Sequence, residues 1–148
     1  MFTDVDPADL EPREFAELLR RTPVAELRSA MAGPHRRTVL DGIFTRMPGL
    51  LRRDRAGTLA AVIHWCVGGR PDGGADTYEL VVADGVCTLS DRPRHQPRLT
   101  LSLGAMELLD LIAGRSSPVS MLVLGRMKAR GDMALTVRVP SLFEIPKP

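Results

Sequence analysis

Cysteine is scarce in this chain: only Cys66 and Cys87 occur in 148 residues, well separated along the sequence. Two free, buried thiols in a reducing, cytoplasmic setting are the expectation, against the dense disulfide framework of a small secreted domain. Charge of one sign is also missing. The formal net charge is +2, with 20 basic and 18 acidic residues, so the molecule as a whole is not built to coat nucleic acid. Lysine is nearly absent beside arginine, which reads as a composition bias of the genome, although arginine is also the better fork for a phosphate. No apolar run approaches the roughly 18 residues of a membrane-crossing helix. The acidic opening, Met1-Phe2-Thr3-Asp4-Val5-Asp6, lacks the apolar segment of a secretory signal. Catalytic signatures are missing as well: no Gly-x-Ser-x-Gly, Walker-type loop or dinucleotide fingerprint occurs. Gly68 to Gly74 is glycine-rich but joins two strands instead of opening a helix, so it is no phosphate cradle. These absences point away from an enzyme and from any cofactor.

What is present suffices for one folded domain with a substantial core; 44% of the residues are hydrophobic and 26% charged. The first third reads as helices. Pro12 suits a first helical position, Leu10 and Phe15 have hydrophobic-staple spacing, and Phe15, Leu18 and Leu19 form one apolar stripe. Thr22-Pro23 restarts a helix that Gly33-Pro34 ends. A third helix from about Arg36 carries Val39, Leu40, Ile43, Phe44 and Met47 on one face and stops at Pro48-Gly49. After Gly57 the period changes to that of strands. Thr58 to Val67 alternates, with Ala61, Ile63, Trp65 and Val67 facing one way and Val62, His64 and Cys66 the other. Thr77 to Ala83 returns, and Asp84-Gly85 predicts a tight hairpin into Val86 to Ser90. After a proline-containing loop, Asp91 to Pro97, a strand follows at Arg98 to Leu103. Two apolar helices come next, about Ala105 to Ala113 and Pro118 to Leu124. The predicted class is α+β: an antiparallel meander with helices packed over one sheet face.

The last quarter is the most telling. A short strand at Met127 to Arg130 carries basic residues and stops at Gly131, and Asp132 is placed to cap a new apolar helix. Such a helix, without catalytic residues and at the edge of a small domain, suggests a wall for something oily. Pro140 inside it predicts a kink or an early end.

The string Gly125-Arg126-Met127-Lys128-Ala129-Arg130-Gly131-Asp132, followed by Ser141-Leu142-Phe143-Glu144-Ile145-Pro146, resembles the sterol carrier protein (nonspecific lipid-transfer) family. The order of strands and helices from about Ile43 onward is similar too. The resemblance implies an α+β fold, a five-stranded, mainly antiparallel sheet flanked by helices and enclosing an apolar tunnel, and loose binding of sterols, fatty acids, fatty acyl-CoAs or phospholipids. It divides the chain into a helical extension, 1–35, and a lipid-binding domain, 36–148. The expected lining is Leu101, Leu103, Met106, Leu109, Ile112, Met121, Leu122, Leu124, Met133, Leu135, Val137, Leu142 and Phe143. Methionine suits walls that repack around differing ligands. Lys128 and Arg130 are the cations expected nearest an anionic head group.

Other readings stand beside this one. The same fold with a closed core would serve as a noncatalytic interaction or accessory module of a biosynthetic pathway, with a protein partner that the sequence does not name. His64 and Cys66, two apart on a strand, have the direction of a metal pair, with Cys87 as a third candidate, but no fourth ligand is evident and a filled sheet face is the simpler reading. His35 and His95 look like solvated loop residues. Arg20-Arg21, Arg36-Arg37 and Arg52-Arg53-Arg55 read as solvated helix faces balanced by nearby acids, with transient contact to an anionic membrane as their functional alternative.

Overall fold

The computed structural model describes residue 2, residues 6–90 and residues 92–144. Asp91 of the predicted loop and Ile145 and Pro146 of the terminal motif lie outside the described residues. Three helices open the chain: α1 (Pro12–Arg21), α2 (Val24–Ala32) and α3 (His35–Arg46). Pro12 sits in the first turn of α1, where its missing N–H costs nothing, and the Glu14 carboxylate reaches back 3.0 Å to the Glu11 N–H. A 3₁₀ turn, Met47–Leu50, carries Pro48 and is followed by α4 (Arg53–Ala56), a single turn too short to show periodicity in the sequence.

The strands are β1 (Ala61–Gly68), β2 (Asp76–Ala83), β3 (Val86–Ser90), β4 (Leu99–Gly104) and β5 (Met127–Gly131), in the spatial order β3-β2-β1-β4-β5. Between β4 and β5 lie α5 (Ala105–Ile112) and α6 (Pro118–Val123), and α7 (Met133–Leu142) closes the fold. Asp84 and Gly85 both have positive φ, 53° and 74°, as a two-residue type I′ hairpin demands. β4 lies on the far side of β1 from β2 and runs parallel to it, so the sheet is mixed, antiparallel everywhere else.

The register divides the sheet into two faces. Ile63, Trp65 and Val67 of β1, Tyr78, Leu80 and Val82 of β2, and Leu99, Leu101 and Leu103 of β4 share an inner face and are all buried. Phe44 of α3 stacks on Tyr78 with ring centroids 4.2 Å apart and tilts against Trp65 at 6.0 Å. Phe15 and Leu19 of α1 and Leu27 and Met31 of α2 belong to the same continuous core.

Several arginines work differently from the sequence reading. Arg36 is only 6% exposed, not solvated. Its guanidinium pairs with Asp76 at 2.9 Å and donates to the carbonyls of Val67 and Gly68 at 2.9 and 3.1 Å. The start of α3 lies over the end of β1, and Arg36 supplies these two carbonyls with donors. Arg20 donates to the Ala113 carbonyl at 2.6 Å, and Arg115 to that of Leu19 at 2.9 Å, tying α1 to the end of α5. His35 is no loop residue either. It opens α3, half-buried, with its ring edge-on to Phe2.

Candidate functional site: a groove between two terminal helices and the sheet edge

α6 and α7 flank β5, and each is positioned by local chemistry legible in the sequence. Ser117 caps α6, its hydroxyl accepting from the Ser120 N–H at 3.1 Å. Gly125, at φ 73°, ends α6: the N–H groups of Gly125 and Arg126 return to the carbonyls of Leu122 and Met121, the paired bonds of a Schellman motif. Gly131 adopts φ 122°, and a Cβ there would collide with the Arg98 carbonyl oxygen, so only glycine fits the step from β5 to α7. Asp132 caps α7 through the Leu135 N–H at 3.0 Å and pairs with Arg98 at 2.7 Å. The Leu135 N–H and the Arg98 guanidinium hold its carboxyl below the usual aspartate range. α7 does not end at Pro140 but runs to Leu142. Pro140 stands in the last turn, where it forgoes one hydrogen bond, to the Thr136 carbonyl, and only two helical residues follow it. Beyond it the Leu142 carbonyl accepts from the Arg52 N–H at 2.7 Å, and the Glu144 N–H donates to Leu50 at 2.8 Å.

These elements bound a groove of about 910 Å³. Val119, Leu122 and Val123 of α6 form one wall, and Met133, Thr136, Val137 and Pro140 of α7 the other. The floor is the outer face of β4, with Thr100 and Ser102, together with Met127, Lys128, Ala129 and Arg130 of β5. Lys128 stands opposite Ser102 and Arg130 opposite Thr100, so both cations share the floor with two hydroxyls. No acidic residue lines the groove, and neither cation makes an ion pair among the described residues. The groove is open to solvent, with Val119, Val123, Met133 and Val137 all more than half exposed. An amphipathic ligand suits it: apolar flanks for a tail, and donors below for an anionic head.

Of the thirteen residues expected to line a tunnel, Leu122, Met133 and Val137 meet in this groove, joined by Lys128 and Arg130. Leu101, Leu103, Leu109, Met121, Leu135 and Leu142 are buried in the core and do not line it. The cause is strand and helix geometry: Leu101 and Leu103 point to the inner face, and Leu135 and Leu142 to the inner side of α7. Leu124 is 68% exposed, outside the groove. Met106, Ile112 and Phe143 border separate cavities: Met106 beside α2 and α5, Ile112 beneath α1 and α3, and Phe143 between the start of α1 and the end of α7. The sequence reading missed Thr100, Ser102, Val119, Val123, Thr136 and Pro140. A signal for two of them existed: Thr100 and Ser102 alternate with the leucines of β4 and so face away from the core.

The outer face carries a second polar feature. Glu79, fully buried, accepts from His64 Nε2 at 2.9 Å, from the Arg94 and His95 N–H groups at 3.0 and 2.9 Å, and pairs with His95 Nδ1 at 3.0 Å. Burial opposes ionisation, but the bonds from His95, His64 and the two backbone groups outweigh it and bring the carboxyl down to about 2. His95, read from sequence as a solvated loop residue, thus fastens its loop to the sheet. His64 uses Nε2 for Glu79, and Cys87 cannot join His64 and Cys66, because it projects from the inner face while they project from the outer. Both cysteines are free, and burial pushes the Cys87 thiol up to about 11. Among the described residues no cluster of three or more acids, histidines and cysteines is arranged to hold a metal.

The SCP-2 sterol transfer family matches residues 44–144, from the end of α3 to the end of the described chain. The chain belongs to this family. The match takes in every strand, both walls of the groove, and the cations on its floor. No curated protein matches the chain. Among solved structures, the sec-alkylsulfatase Pisa1 from Pseudomonas sp. is 20% identical with a TM-score of 0.57, over 71% of this chain but only 16% of that one. Sterol carrier protein 2 like 2 from Aedes aegypti is 14% identical with a TM-score of 0.55, covering 72% of this chain and 94% of its own. UbiJ-SCP2, a ubiquinone synthesis protein, is 18% identical with a TM-score of 0.52, covering 74% and 96%. At these identities the likeness establishes the α+β sterol-carrier fold. No helix among the described residues is long and apolar enough to cross a membrane.

Proposed function

We propose that this protein binds a lipid with a long apolar tail and an anionic head, as a carrier and not as an enzyme. The tail lies in the groove between α6 and α7, and the head sits by Lys128 and Arg130. The observation that carries this reading is the groove itself, largely apolar on both helical walls and cationic on its floor, with no acid among the described residues that line it. Membership of a sterol transfer family supports an apolar ligand. The energetics suffice. A buried methylene contributes about 0.8 kcal/mol, so some fifteen of them give about 12 kcal/mol before association costs of several kcal/mol. Micromolar binding then follows without further polar contacts.

Mass spectrometry of gently extracted, purified protein is expected to recover co-purified lipid, and a fluorescent fatty acid to bind with micromolar affinity. Val137→Asp, on the exposed side of α7, is expected to weaken that uptake at least about tenfold while the protein stays folded. Lipid-free protein that also ignores the fluorescent fatty acid would sink the carrier reading. The second reading, an accessory module in a biosynthetic pathway, draws support from the fold shared with a ubiquinone synthesis protein.

A further inference from the structure

Among the described residues seven large hydrophobic side chains are exposed: Val24, Val86, Val119, Val123, Leu124, Met133 and Val137. Five of the seven stand together on α6, its C-terminal turn and α7, around the mouth of one groove. Val123 and Leu124 stand side by side, 79% and 68% exposed, in a turn closed by the Gly125 cap. Isolated exposed apolar residues need no explanation, but a contiguous patch marks an interaction surface. Beside this patch lie Lys128 and Arg130, exposed and without ionic partners among the described residues. The basic clusters conspicuous in the sequence are not equivalent to them. Arg36 is buried on Asp76, Arg20 is tied to Ala113, Arg53 to Gly85, and Arg52 to Asp54.

We propose that the α6–α7 mouth docks on an anionic lipid bilayer, with Val123 and Leu124 entering the acyl boundary and Lys128 and Arg130 meeting the head groups. The inference rests on the carrier reading, and it adds where the ligand comes from and which way the groove faces when it loads. Two features favour a bilayer over a protein. The patch combines protruding aliphatic tips with uncompensated positive charge, the pairing that gives peripheral proteins their anionic-membrane affinity. It also surrounds the opening through which a lipid would pass, so docking there lets a tail move from bilayer to groove without crossing water.

The test uses the full chain and two kinds of vesicle, phosphatidylcholine alone and phosphatidylcholine with about 30% phosphatidylserine. Sedimentation is expected to show binding to the anionic vesicles that weakens as salt rises, and little binding to the neutral ones. Leu124→Asp, at an exposed position outside the groove, is expected to lower vesicle binding about tenfold or more while fluorescent fatty-acid uptake stays unchanged. Lys128→Ala and Arg130→Ala should each lower vesicle binding about fivefold. Wild-type protein that takes up fatty acid but ignores anionic vesicles would overturn the docking surface and leave the carrier standing. Vesicle binding without fatty-acid uptake would do the reverse. Vesicle binding that Leu124→Asp leaves intact, or a dimer that this change dissolves, would also overturn the proposal, the latter in favour of a second copy of the chain.

Discussion

At matching registers the two faces of the sheet meet different surroundings. On the inner face Trp65 pairs across to Tyr78 on one side and Leu101 on the other, and Phe44 of α3 seals the row. One residue away, on the outer face, Arg130, Thr100, His64, Glu79 and Ser90 form a polar row across all five strands. One end of that row is capped by the loop fastened to Glu79, and the other opens into the groove. The helices repeat the contrast. α3 turns Val39, Leu40, Ile43 and Phe44 inward, whereas α7 carries two stripes. Leu135, Val139 and Leu142 face the core, and Met133, Thr136, Val137 and Pro140 face the groove at spacings of three and four. An apolar helix is therefore no measure of core. What separates groove wall from packing is a second stripe that borders open space instead of the core.

That distinction can be broken most forcefully at Phe44. Phe44→Ala removes a fully buried ring from between Tyr78 and Trp65 and is expected to cost about 3–5 kcal/mol by chemical denaturation. An effect below 1 kcal/mol would mean that the inner face is not the sealed one. Glu79 tests the capped end of the outer face. Glu79→Gln gives up the carboxylate that two imidazoles and two N–H groups share, and about 2 kcal/mol of stability should go with it. Because the folded carboxyl is depressed to about 2, its contribution is complete above the unfolded carboxyl's range, near 4.5, and is lost as pH falls toward 2. Melting curves should record a steeper acid loss in the parent than in Glu79→Gln, and parallel curves would remove Glu79 from the acid response. On α7 the two stripes can be set against each other. Leu135→Ala should lower stability by about 3 kcal/mol, whereas Val137→Asp two residues on should change it by under about 0.5 kcal/mol and act on uptake alone. Equal stability losses at the two positions would dissolve the contrast.

Much of the framework was readable from local chemistry. The Asp84-Gly85 turn, Ser117-Pro118 at α6 and Asp132 at α7 each satisfy a backbone need within a few residues, so the sequence carries them directly. The inward set of β1 was readable for the same reason, since alternation is a local property. The groove was only partly legible. The stripes of α7 interleave, so Leu135 and Val137 look equivalent until a neighbour is known. Likewise Leu101 and Lys128 share a site in sequence terms but lie on opposite faces of the sheet. Contacts that join distant segments were invisible: Glu79 with His95 depends on a loop returning over β2, and Arg36 with Asp76 on where the start of α3 lands.

The fastening of α7 has a mechanical consequence. Arg98 pins its first residues through Asp132, and the Arg52 N–H pins its last carbonyl. A beam held at both supports does not swing; it bows at its weakest span. In α7 that span lies between Thr136 and Pro140, where proline offers no N–H to the carbonyl one turn back and where both residues face the groove. If the carrier reading proposed above holds, a bulkier cargo is expected to bow α7 at mid-helix, so that hydrogen exchange at Val137 to Val139 quickens when a wide ligand replaces a slender one, while Leu135 stays protected.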